Sequence, residues 1–209
     1  MLKEDTIFFE LALKSKALLL GDFTLKSGKK SPYFFNIGSF FSEGCIDSLA
    51  ALYADLLIAS EFDFDVIFGP AYKGIPLAAA ISTSLGIKTS KSIPFAFDRK
   101  EEKTHGEGGN IVGELKDKKV LIIDDVLTAG TALKQSIKII SNAGGNVIGC
   151  MVALDREEIF DGMIARDKIS EEFNIKISSI ARISQLVNYF DISGREDESK
   201  IIRNYLSNL

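Results

Sequence analysis

An α/β fold, with a central and mainly parallel sheet flanked by helices, is what this sequence predicts, and three observations carry the expectation. Val66–Phe68, Val120–Ile123 and Asn146–Leu154 are apolar runs of the kind that strands buried on both faces require. The first two each lead through a glycine-bearing loop into a helical pattern. A length of 209 residues suits one sizeable α/β domain with a small accessory element.

Taken in order, Ile7, Phe8, Leu11, Leu18 and Leu19 give a helical pattern over 3–20, stopped by Gly21. Phe23–Gly28 alternates as a strand, turns at Ser27-Gly28, and passes through Lys29-Lys30-Ser31-Pro32 to Tyr33-Phe34-Phe35-Asn36. Residues 46–60 place Ile46, Leu49, Leu52 and Leu56 on one helical face. After the strand Val66–Phe68, Gly69-Pro-Ala-Tyr-Lys-Gly74 forms a strand-to-helix loop, and the Ala-rich helix Ile75–Leu85 closes at Gly86. Ser92–Phe97 is the next strand. It opens into Asp98–Asn110, dominated by charged residues, glycine and the only histidine of the chain, His105. With no apolar anchor before Ile111, that segment is expected to be mobile without ligand.

Val120–Ile123 ends at two adjacent carboxylates, Asp124 and Asp125. The turn Thr128-Ala129-Gly130-Thr131 follows, then an amphipathic helix bearing Leu133, Ile137 and Ile140, stopped by Gly144-Gly145. Asn146–Leu154 ends in Asp155-Arg156-Glu157-Glu158. The remainder holds a polar helical patch (Ser170–Phe173), a strand Ile175–Ile180, a helix near Ile183–Phe190 and a last amphipathic helix near Ser199–Leu206. No linker or repeat divides the chain, so residues 1–209 are expected to form one domain. Its core would span about 65–180, with about 1–40 and the last helices as a hood.

Composition narrows the class. Net charge is −4, which argues against a general nucleic-acid binder. Cys45 and Cys150 match no metal or redox spacing and fit free thiols in a reducing compartment. Glu4, Asp5, Glu10, Lys14 and Lys16 interrupt any signal-peptide pattern, and no run approaches a membrane span. A cytoplasmic protein without membrane or nucleic-acid partners is the expectation.

Chemistry concentrates at Val120–Ala132. A strand, an acidic edge and a small-residue turn feed a helix N-terminus, where free backbone N–H groups favour a phosphate. Gly130 is followed by Thr131 and Ala132 rather than Lys-Ser/Thr, so this is not a triphosphatase loop. The paired acids call for a ligand with hydroxyls or a metal beside its phosphate, and a ribose 5-phosphate meets that description. In an open α/β sheet ligands gather beyond the carboxyl ends of strands, which places the Gly69–Gly74 loop alongside.

Val120–Ala132 resembles, position for position, the ribose-phosphate signature of type I phosphoribosyltransferases. TLKSGKKSPYFFN (24–36) and RKEEKTHGEGGNIVGEL (99–115) resemble segments of the orotate phosphoribosyltransferases in particular. The likeness covers nearly the whole chain and implies the type I phosphoribosyltransferase fold with a small N-terminal hood. It implies transfer of ribose 5-phosphate from 5-phosphoribosyl 1-diphosphate to orotate, in the route to UMP. Three loop positions depart from the pattern of bacterial members: Asp98 for Asn, Glu102 for Ala, and Thr104 where an acid is common.

Carried over by position, the resemblance assigns donor binding to Lys26, Tyr72, Lys73, Arg99, Lys100, Lys103 and His105. It adds Asp124, Asp125, Val126, Leu127, Thr128, Ala129, Gly130, Thr131 and Ala132. Orotate would meet Lys26, Phe34, Phe35, Thr128 and Arg156, whose guanidinium fork suits a planar carboxylate. The catalytic set would be Lys103, His105, Asp124 and Asp125. Mg²⁺ would be held mainly by the donor diphosphate, with Asp124 and Asp125 as further candidates through water. The resemblance also implies a homodimer whose catalytic loop reaches the neighbouring site. A purine or uracil phosphoribosyltransferase would keep 124–132 without the two orotate-type segments, and a non-catalytic regulator would show salt-sensitive nucleic-acid binding.

Overall fold

The computed structural model of the chain describes residues 3–25, 28–60, 62–99 and 110–208. Helix α1 (Lys3–Lys14) carries Glu4 and Asp5 in its first turn and Lys14 in its last, as the helix dipole favours. It ends earlier than its sequence pattern suggests, because Lys16 turns the chain at φ 57. Leu18, Leu19 and Gly21 belong instead to strand β1 (Leu18–Thr24), paired antiparallel with β2 (Lys30–Phe35). Gly21 sits where that ladder shifts register, between Leu20 and Phe23. Of the strand expected over 23–28, Phe23 and Thr24 are the tail of β1, and Lys26 and Ser27 lie outside the described residues.

A short helix α2 (Gly38–Ser42) precedes α3 (Ile46–Ala59). Strand β3 (Val66–Gly69) feeds α4 (Gly74–Thr89), which runs straight through Gly86 and stops at left-handed Ser90. Gly86 has a packing reason rather than a capping one, since a Cβ there would lie 3.2 Å from the Lys91 carbonyl oxygen. Strand β4 (Phe95–Asp98) starts three residues later than expected and pairs with β5 (Ile111–Val112).

Next come β6 (Lys119–Leu127), α5 (Thr131–Asn142) and β7 (Asn146–Asp155). A small hairpin of β8 (Ile159–Phe160) and β9 (Met163–Ile164) leads into α6 (Ala165–Phe173). The chain closes with β10 (Lys176–Arg182), α7 (Ile183–Ile192) and α8 (Glu196–Leu206).

Among the described residues the main sheet has six strands in the order β10-β7-β6-β3-β4-β5, all parallel except the β4–β5 pair. Alternation along β6 sends Leu121 and Ile123 to one face and Val120 and Ile122 to the other. The first face packs against Phe8, Leu49, Ile81 and Leu186 in a core that runs continuously into the β1–β2 sheet. The second packs under α5 and α6 through Leu133, Ile137 and Ile169. β6 is buried on both faces, as its apolar run requires. No helix of the described residues is long and apolar enough to cross a membrane.

Candidate active site

Strands β3, β6 and β7 are adjacent and parallel, so the loops after them leave one edge of the sheet side by side. Asp124 and Asp125 lie within β6 rather than at its end, because β6 keeps pairing with β7 as far as Leu127 and Asp155. Thr128, Ala129, Thr131 and Ala132 are exposed around buried Gly130, which stands at φ 77 just ahead of α5. A Cβ on Gly130 would lie 1.9 Å from Ile169 Cδ1, so both conformation and space demand glycine. Asp124, Thr128, Gly130 and Ala132 line one small cleft, with Cys150 and Val152 among its other walls. A wider cleft, lined by residues of β1 and β2 and by Ile201 and Tyr205 of α8, shares no residue with it.

The two acids are held differently. The Asp124 carboxylate accepts from the Asp125 backbone N–H at 2.9 Å, and its carbonyl accepts from the Tyr53 hydroxyl at 2.8 Å. Asp125, 8% exposed, faces Lys73 Nζ at 3.2 Å. Burial, and then the neighbouring Asp125 charge, raise Asp124 from 3.8 to about 7, against the opposing backbone bond and Lys73. Burial likewise pushes up the Tyr53 phenol and the Cys150 thiol.

The sign of the pH effect follows. Between pH 4 and 7 the folded protein holds a proton on Asp124 that the unfolded chain releases, so this contribution to stability is complete below pH 4 and lost as pH rises through 7. Thermal melts of the ligand-free protein should therefore show wild type losing more stability over that window than Asp124→Asn. Parallel curves would mean that Asp124 titrates normally.

The loop after β3 is built on close contact. A Cβ on Gly69 would lie 2.2 Å from the Gly74 carbonyl oxygen, and one on Gly74 would lie 2.5 Å from Pro70 Cδ. The Ala71–Tyr72 peptide is cis, which the sequence could not reveal. Tyr72 is 65% exposed, and Lys73 leads into α4. The Ala71 N–H donates to Asp98 Oδ1 at 2.7 Å, which ties this loop to the end of β4.

Arg156 follows β7, and its backbone N–H donates to the Leu127 carbonyl, beside Thr128. The guanidinium is buried 4.6 Å from the Tyr33 ring centroid, with Nε 3.0 Å from Glu158 Oε1 and Nη2 3.5 Å from Ser31 Oγ. Tyr33 Oη and Arg156 Nε are the buried atoms here without a hydrogen bond among the described residues. Phe34 is 41% exposed and packs on Phe23, whereas Phe35 is buried with Phe8 and Phe40. Phe34 can thus offer its ring to a ligand, and Phe35 only its backbone.

The structure thus brings together Lys73, Asp124, Asp125 and the 128–132 turn, with the Arg156 backbone joined to the end of β6 and its guanidinium turned to Tyr33, Ser31 and Glu158. The Arg99 N–H donates to the Asn110 carbonyl, closing the base of the segment between them. Lys26, Lys100, Lys103 and His105, with the departures Glu102 and Thr104, lie outside the described residues. Sequence reasoning missed Tyr53, Ser31 and Asp98 as contacts. Tyr53 left no signal, being 71 positions from Asp124.

Comparison with known proteins agrees with this geometry. A family profile described as the phosphoribosyl transferase domain matches residues 44–174. An orotate phosphoribosyltransferase of Kluyveromyces lactis is 49% identical over 193 residues, 88% of this chain and 85% of that relative. Orotate phosphoribosyltransferase 2 of Saccharomyces cerevisiae is 47% identical over 95% of this chain and 91% of its own. The crystal structure of the Francisella tularensis orotate phosphoribosyltransferase superposes with a TM-score of 0.87 at 40% identity, covering 100% of this chain and 98% of that one. With paired acids ahead of a glycine-capped helix N-terminus, and relatives this similar over nearly its whole length, the chain belongs to the orotate phosphoribosyltransferases.

Proposed function

We propose that the chain transfers ribose 5-phosphate from 5-phosphoribosyl 1-diphosphate to N1 of orotate, releasing pyrophosphate and giving orotidine 5-phosphate for pyrimidine biosynthesis. The observation that carries this reading is the junction of β6 and α5. Two carboxylates of β6 lead through a short turn to a helix N-terminus whose free N–H groups suit a phosphate, with Lys73 paired to Asp125 and the Arg156 backbone bonded to Leu127 at the end of the strand.

Breaking the bond from C1 to the diphosphate builds positive charge on the sugar and negative charge on the leaving group. The N–H groups of 128–132 hold the 5-phosphate. Asp124 and Asp125 take the ribose hydroxyls and favour a cationic sugar. Val126 and Leu127 belong to this site as the β6 backbone that carries the acids to the turn. Lys73 and the loop N–H groups beside Tyr72 meet the diphosphate, and Arg99, Lys100, Lys103 and His105 supply further positive charge. Lys103 is, in this reading, the contact made only in the transition state. Orotate lies against Phe34, the Phe35 backbone, Lys26 and Thr128, with its carboxylate on Arg156.

No group of three or more His, Cys, Asp or Glu among the described residues could cage a metal. Two carboxylates beside a diphosphate site suit Mg²⁺ that arrives on the donor, with Asp124 and Asp125 reaching it through water. When bound it neutralises charge on the leaving diphosphate.

Loss of orotate absorbance on adding the donor tests the reading. Turnover is expected with orotate and not with uracil or adenine, and EDTA should abolish it. Folded protein that binds the donor yet leaves every base untouched would move the regulator reading to the front.

The working unit in this reading is a cytoplasmic homodimer that shares the 99–110 segment across subunits, with residues 1–40 and the last helices acting as a hood over each site. Mixing an Arg99/Lys103-defective subunit with an Asp124/Asp125-defective one should restore turnover in verified heterodimers. Inactive heterodimers would rule the sharing out.

A further inference from the structure

Asp98 stands where two parts of the site meet. It is the last residue of β4, paired with Ile111 of β5, at the neck of the 99–110 segment that the Arg99–Asn110 backbone bond closes. Its carboxylate reaches sideways to the next loop and accepts the Ala71 N–H at 2.7 Å. Two residues further along that loop, Lys73 pairs with Asp125. One side chain thus fixes the backbone of the 70–73 loop relative to the strand from which the 99–110 segment springs.

We infer that Asp98 is a positioning residue for the donor diphosphate, holding the 70–73 backbone so that its N–H groups and Lys73 face the pyrophosphate. The inference rests on the proposed function, which gives that loop the diphosphate. Asp98 touches no substrate itself. Its oxygen is the acceptor that satisfies Ala71, and a carboxylate makes that bond stronger than a neutral partner would. The feature needed is an acceptor at this position, so an amide oxygen in the same place serves nearly as well.

Pyrophosphate makes the test specific, because it engages the diphosphate loop without the ribose turn. Kinetics are measured in both directions on the full-length protein. Asp98→Ala is expected to raise KM for the donor and for pyrophosphate by about tenfold, the scale of one hydrogen bond to a charged group. KM for orotate and for orotidine 5-phosphate should stay within about twofold on the same ground. Asp98→Asn, which keeps Oδ1, should return both raised constants to within about threefold of wild type.

Unchanged constants in Asp98→Ala, an equal rise in all four, or an asparagine variant as impaired as the alanine one would overturn the assignment. Should Asp98→Ala fail to fold, Asp98→Glu carries the test, since it keeps the charge and displaces the acceptor by one methylene. Raised donor and pyrophosphate KM are expected from it, and wild-type values would overturn the inference. A wild-type protein that does not turn over orotate points instead to the proposed function.

Discussion

Replacing Arg156 with alanine should destabilise the protein by about 3–5 kcal/mol, because it leaves the Glu158 carboxylate buried without its partner. The side chains of Arg156 and Glu158 are 6% and 11% exposed and 3.0 Å apart, so solvent screens the pair little. On the proposed reading the same change removes the charged contact to the orotate carboxylate. That should raise the KM for orotate by about 10–100-fold while leaving the donor constant near wild type.

The structural and functional parts can be separated. Arg156→Met with Glu158→Leu fills the space with apolar atoms and removes both charges, and such replacements of buried ion pairs often restore stability. Melting temperature should recover in the double variant while orotate turnover stays impaired. If turnover recovers with stability, Arg156 does not touch the substrate.

The second large effect is expected from Gly130→Ala. The residue stands at φ 77, a region costing an L-residue about 1–2 kcal/mol. The new methyl would lie 1.9 Å from Ile169 Cδ1. Ile169 is 1% exposed under the turn, so its tip cannot swing into solvent. Either α6 yields or the turn lifts off the sheet. A stability loss of about 2–3 kcal/mol is expected. On the proposed function, displacing the N–H groups of this turn by about 1 Å should cost about 10²-fold in kcat/KM for the donor.

Ile169→Val removes the clashing atom itself and identifies the cause. Alone it should cost about 0.5–1.5 kcal/mol. Combined with Gly130→Ala it should cost less than the sum, with a favourable coupling of at least about 0.5 kcal/mol. Strict additivity would show that the backbone angle alone makes the position intolerant of alanine.

The parts of this fold that were legible in the sequence are those where one pattern had one meaning. Val120–Ile123 reads as a doubly buried strand because apolar residues occupy both faces, and the structure buries them on both. The misread parts are those where the same residues serve another element. Leu18 and Leu19 continue a helical spacing from Phe8 and Leu11, yet a left-handed Lys16 separates them and hands them to β1. Gly86 looks like a helix stop and is a point of close approach instead.

In the site, the run from Asp124 and Asp125 into the 128–131 turn could be read because its chemistry is contiguous. Contacts made across the fold could not: Tyr53 on the Asp124 carbonyl, Ser31 near the Arg156 guanidinium, and Asp98 on the Ala71 N–H. Only the topology brings those pairs together. The alternation of β2 shows the same limit, because Phe34 and Phe35 are neighbours in sequence that face opposite ways.

The central position of β6 also bears on the order of assembly. Its ladder with β7 closes through α5 alone, whereas its ladder with β3 joins residues about twice as far apart along the chain. Loop closure costs less entropy over the shorter span, so the β6-α5-β7 unit can form before β3 docks. That unit already contains both aspartates and the Gly130 turn. The site proposed for the ribose phosphate is thus encoded in one local segment, and the Lys73–Asp125 contact becomes possible only once the distant strand has joined the sheet.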